Sequence, residues 1–192
     1  MTSPERDQLT DWEEELFRIE QDVRLHLEPL SEAQFGWRPG PGRWSVGECL
    51  NHLAIATSLM LEGVRPALER GRAEQRTGVP PFRLGMVGGW FARLMEAPGK
   101  RPMPAPGNFV PPSGAARAEV LAAFRAVEQK LSNTLAAARG LALDRIRAAS
   151  AAKGGGWIRL NVAAWFAATL AHQRRHVAQA RRVTETPGFP AS

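Results

Sequence analysis

The sequence predicts an all-α four-helix bundle, and three observations support that fold class. Four long segments repeat apolar residues at spacings of three and four, the period of a helix face. No segment shows the sustained alternation of a half-buried strand. Stretches rich in Pro and Gly separate the helical segments, and one of these separations is long.

The first helix is expected over residues 4–30, where Leu9, Trp12, Leu16, Phe17, Ile19, Val23, Leu27 and Leu30 share the helical spacing. Asp11, Glu13, Glu14 and Glu15 near its start suit the positive end of the helix dipole. Ser31–Phe35 reads as a short helical turn, and Gly36–Arg43 is irregular because Pro and Gly crowd it. The second helix should begin at Ser45, with Glu48 closing a capping box. Val46, Cys49, Leu50, Leu53, Ala56, Leu59, Met60 and Val64 carry it to about Glu69, with a kink at Pro66.

Residues 71–114 form a long connection between the second and third helices, with an apolar island at Phe82–Met95 that suits a short amphipathic helix. Val120, Leu121, Phe124, Val127, Leu131 and Leu135 predict the third helix over 115–139, and Gly140 stops it. Residues 141–158 give no clear element, and Lys153–Trp157 reads as a flexible turn. Asn161 is a good N-cap for a last helix that runs to Thr184, followed by a frayed tail at 185–192.

At 192 residues the chain suits one domain, 1–192. Its hydrophobic fraction of 44% is sufficient for a real core. A single cysteine, Cys49, excludes an internal disulfide and a Cys-based zinc site. The polar N-terminus lacks the apolar stretch of a secretory signal, and the longest apolar runs are about half a membrane span. A cytoplasmic, non-membrane protein is therefore expected. The net charge of +6 rests almost wholly on arginine, scattered from Arg6 to Arg182. A solvated basic surface explains that pattern better than nucleic-acid binding, which would need the arginines gathered on one face.

The four histidines are His26, His52, His172 and His176. His172 and His176 lie four apart on a predicted helix, so both imidazoles share one face and can reach one ion. That face also carries Trp165, Thr169 and Gln179, with Arg174, Arg181 and Arg182 away from it. Such a pair also occurs as surface or satisfied core histidines. A zinc-protease helix would have Glu after the first His, and Gln173 stands there instead. His52 lies on an inward or boundary face of the second helix, with Glu48, Cys49, Ala56 and Leu59. A hydrogen-bonded core histidine is one reading of it, and a third ligand leaving open positions on a metal is the other.

Trp44-Ser-Val with Asn51-His-Leu53 at the start of the second helix, and His172-x-x-x-His176 in the last, make the chain resemble the DinB-like, or YfiT-like, superfamily of metal-dependent enzymes. The likeness runs from about residue 8 to 184. It implies an up-down-down-up bundle and a divalent ion, commonly zinc or nickel, on His52, His172 and His176. It also implies a homodimer and a small-molecule substrate, with a low-molecular-weight thiol as cosubstrate in S-transferase relatives. Other members are described as hydrolases. The long 71–114 connection departs from relatives.

A metal would act as a Lewis acid or lower the pKa of a bound water or thiol. Thiol transfer needs no protein base, whereas hydrolysis by metal-activated water favours one. Glu48 is the nearest candidate catalytic base, although its place in the capping box competes with that role. Asn51 and Gln179 are candidates to orient the ligands from behind, or face solvent, and Arg175 reads as a surface arginine sooner than as a partner for an anionic substrate. His26 could supply a fourth ligand, or simply complement the end of its helix. Cys49 reads as a small buried hydrophobe, and Trp90 and Phe91 as core or dimer contacts sooner than as substrate clamps. A non-catalytic, metal-stabilised binding or assembly protein is the rival class.

Overall fold

Asp7, Ser31, Ser45 and Asn161 each turn extended backbone into a helix, because each side-chain oxygen accepts from a backbone N–H of the first turn. In the computed structural model, which describes residues 7–96, 109–152, 154–156 and 158–191, six helices and one hairpin result. They are α1 (Gln8–His26), α2 (Glu32–Gly36), α3 (Val46–Ala73), α4 (Gly85–Glu96) and α5 (Arg117–Ala137), then β1 (Arg147–Ala149), β2 (Arg159–Asn161) and α6 (Val162–Thr184). The four long helices and the apolar-island helix match the segments expected from periodicity. Pro66 lies inside α3, which continues past it to Ala73.

The four long helices form the bundle. α3 packs against α5 and α6, and α1 packs against the same two. Phe35, Leu50, Leu53, Phe124, Leu131, Leu135, Phe166 and Leu170 are fully buried in the single core between them. α4 lies on the outside of α6. A side chain at Gly88 would meet the Ala164 methyl at 2.5 Å, so glycine sets how close these two helices come. Phe91 packs edge-on against Trp165, with centroids 5.7 Å apart, and Arg174 of α6 pairs with Glu96 of α4 and Glu15 of α1.

Among the described residues, the hairpin is the element the sequence did not predict. β1 and β2 pair antiparallel with Ala148 opposite Leu160, and these two residues face the core. The Trp165 indole N–H donates to the Ala148 carbonyl at 3.0 Å. A Cβ at Gly63 would come within 2.2 Å of the Ala149 carbonyl, so α3 receives the hairpin at that glycine. Strands of three residues are too short for an alternation of period two to stand out. Lys153 and Trp157 of the expected flexible turn, and 97–108 of the expected connection, lie outside the described residues. Among the described residues no helix is long and apolar enough to cross a membrane.

Candidate metal centre

α3 and α6 bring His52, His172 and His176 together, with one ring nitrogen from each lying within 4.8 Å of the others. His52 Nε2 is 3.1 Å from His172 Nε2. A tetrahedral ion with bonds near 2.0–2.1 Å would hold its ligand atoms about 3.3 Å apart, so the cluster is close to the required size. On the other side of the His52 ring, Nδ1 meets the Phe109 carbonyl at 2.7 Å. As the donor in that contact it leaves the Nε2 lone pair facing the other histidines, the usual support of a ligating imidazole. His176 Nδ1 is buried and has no hydrogen-bond partner, which a ligand bond would satisfy.

Electrostatics keep the three rings neutral. Burial is the largest cause in each case: it lowers the pKa of His52, drives His172 well below its ordinary value and takes His176 down to about 3. The positive charge of Arg175 lowers all three. Gln179 opposes the shift at His176, and so lies close enough to that ring to interact with it. Trp44 covers the cluster, its ring centroid 4.8 Å from His52 and 5.8 Å from His176. His52 and His176 are buried as residues and His172 is half-buried.

Glu48 occupies the capping box as expected, accepting from the Ser45 N–H at 2.9 Å while the Ser45 hydroxyl accepts from the Glu48 N–H at 3.1 Å. Arg38 adds a two-pronged ion pair and also donates to the Ser113 hydroxyl. Burial works to raise the Glu48 pKa, but Arg38 and Ser45 outweigh it and hold the carboxylate below its ordinary value. Asn51 lines the same small cavity as Glu48 and Arg38. Removal of the carboxylate in Glu48→Ala is expected to cost about 1–3 kcal/mol in urea unfolding, through the lost cap and the stranded Arg38, with metal content unchanged. Loss of activity at unchanged stability would instead mark Glu48 as a base.

His26, Cys49 and Trp90 are not members of the histidine cluster. His26 is exposed on α1, 3.6 Å from Asp22. Cys49 is fully buried, and burial pushes its thiol up to about 12, which makes it a packed hydrophobe and not a nucleophile. Trp90 is exposed on α4.

A layer of buried polar side chains went unnoticed in the sequence. The Gln173 amide donates to Glu128 at 2.7 Å and to the Thr57 hydroxyl at 3.2 Å. Burial raises the Glu128 carboxyl to about 8, and Glu20 of α1 adds to the rise. The signal was available: Glu128 interrupts the apolar stripe of Phe124, Leu131 and Leu135 at core spacing.

The family profile of the DinB superfamily matches residues 15–180. The chain belongs to the DinB superfamily. Among solved structures, a DinB-like fold is shared with YfiT from Bacillus subtilis, described as a probable metal-dependent hydrolase with an unusual four-helix bundle topology. The two superpose with a TM-score of 0.58 at 14% identity, over 99% of this chain and 93% of YfiT, a likeness of fold. No curated protein matches the sequence. Within this superfamily fold, the three histidines are a group that could bind a metal ion.

Proposed function

We propose that this DinB-superfamily chain is a metal-dependent enzyme that joins a low-molecular-weight thiol to an electrophilic small molecule. In this reading His52, His172 and His176 hold one divalent ion, zinc or nickel. The observation that carries the proposal is the composition of the site. Three neutral imidazoles converge under Trp44, and no carboxylate acts on them among the described residues. A bound divalent ion would supply Lewis-acid activation of a thiol or of water.

The chain's own residues favour the thiol. Arg175 sets a positive potential over the cluster, which stabilises an anionic sulfur as its proton leaves. Glu48, the nearest carboxylate in sequence, is engaged by Ser45 and Arg38, so it is not free to take a proton from water. Phe109 O and Gln179 orient the His52 and His176 rings from behind. Exposed Met86, Val87 and Trp90 on α4 support a homodimer, and we place the protein in the cytoplasm.

Hydrolysis is the second reading, favoured by the description of YfiT. The test incubates metal-loaded protein with cellular thiols and a haloaromatic electrophile, beside a panel of esters and amides. Conjugate above the His52→Ala control is the expected result. Cleavage of esters or amides without conjugate would install hydrolysis, and neither reaction would favour a non-catalytic assembly protein.

A further inference from the structure

The far end of α3 carries a second site of different chemistry. Arg70 of α3, Glu74 and Arg76 just beyond it, and Arg145, Arg147 and Arg159 of the hairpin region line one cavity of about 270 Å³. Arg70 lies eighteen residues beyond His52 on the same helix, about 27 Å along its axis at 1.5 Å per residue. The cavity is therefore separate from the histidine cluster.

Ordinary structural roles account for only part of this gathering. Arg70 in the last turn of α3 complements the negative end of the helix dipole. Arg76 donates to the Glu74 carboxylate. Arg70, Arg145, Arg147 and Arg159 have no carboxylate partner among the described residues. The hairpin register explains how two of them converge. Arg147 pairs with Asn161 and Ala149 with Arg159, so both arginines stand on the solvent face while Ala148 and Leu160 face the core. The cavity floor is also built. A Cβ at Gly71 would strike Ile146 Cδ1 at 2.4 Å, so glycine there lets Ile146 seat against α3 and bring the arginines together.

Five exposed guanidinium groups beside one carboxylate give the cavity an excess of positive charge, which attracts an anion. We propose that this cavity binds a compact polyphosphorylated anion. Planar guanidinium forks match phosphate oxygens two at a time. A phosphate carries about 1.5 to 2 negative charges, so two or three of them balance the cavity, whereas carboxylates would need to crowd in four. A concavity of about 270 Å³ suits a small ligand better than a duplex, which would need a basic stripe along a face.

The test titrates the full chain with inorganic tripolyphosphate by calorimetry at physiological ionic strength. One saturable site per chain is expected, with affinity unchanged in His52→Ala. An Arg145→Ala/Arg159→Ala variant should bind at least roughly tenfold more weakly, the loss of two charge-assisted contacts. An Arg24→Ala/Arg43→Ala variant, which removes the same charge elsewhere, should bind as the parent does. Should the hairpin variant lose its helical circular dichroism, Arg70→Glu on the helix side of the cavity must show the same loss. Equal affinity in both double variants, an equal fall in both, or no saturation at millimolar concentrations would overturn the proposal. So would a short DNA duplex that displaces tripolyphosphate and depends on Arg145 and Arg159, because the surface would then be a nucleic-acid one.

Discussion

His172→Ala is expected to reduce the divalent metal bound by the purified chain from about one ion to almost none, as read by elemental analysis. The same ion should stabilise the parent. At a thousandfold excess over its dissociation constant, a ligand that binds only the folded state adds about 4 kcal/mol. For a chain of this size that is a rise in melting temperature of roughly 10 °C, which His172→Ala should not show. The stripped protein should remain folded, because the core between α1, α3, α5 and α6 is built without the ion. Full metal occupancy in a His52/His172/His176 triple alanine variant would defeat this assignment. An ion held there would have to be bound elsewhere.

The second large effect lies one layer away, at Glu128. Its carboxyl titrates near 8 in the fold against an ordinary value of 4.5. Between those two pH values the folded chain keeps a proton that the unfolded chain gives up. The sign follows: the contribution to stability is complete below about pH 4.5 and is lost as pH rises to about 8. At 1.36 kcal/mol per unit, the loss across that window is on the order of 4–5 kcal/mol. Glu128→Gln keeps the shape and removes the titration. The difference in unfolding free energy between the two proteins should therefore grow in favour of the variant from pH 5 to pH 8, then level off. Glu20 of α1 is the other carboxyl acting on this position, so Glu20→Gln should weaken the same pH dependence without abolishing it. Parallel profiles for parent and Glu128→Gln would show that the carboxyl ionises freely.

Periodicity made the long helices legible because each buries one continuous stripe, as Leu9, Trp12, Leu16, Ile19 and Val23 do on α1. The caps at Ser45 and Asn161 were readable for the same local reason: the oxygen and the N–H it satisfies are three residues apart. The His172 and His176 pair belongs to this class, since one turn of helix brings the two rings together. Features that depend on distant chain segments were not readable. Nothing in sequence links Phe109 to His52 or Arg38 to Glu48, and nothing aligns Gln173 with Glu128 across the core. The arginines looked scattered because the residues that meet at the far end of α3 come from three separate stretches of chain. The hairpin was missed because three residues cannot display a period.

The contact between the Phe109 carbonyl and His52 Nδ1 fastens a connecting stretch to the back of a ring in the cluster, and Ser113 is fastened by Arg38 four residues later. Both fastenings are made to the first turns of α3 or to the residue that braces them. Where a ligand on the His52 ring tightens the hold on Phe109, loosening Phe109 weakens that ligand by the same factor. A substitution near residue 109, remote in sequence from every histidine, would then change affinity at the cluster while leaving the three imidazoles intact.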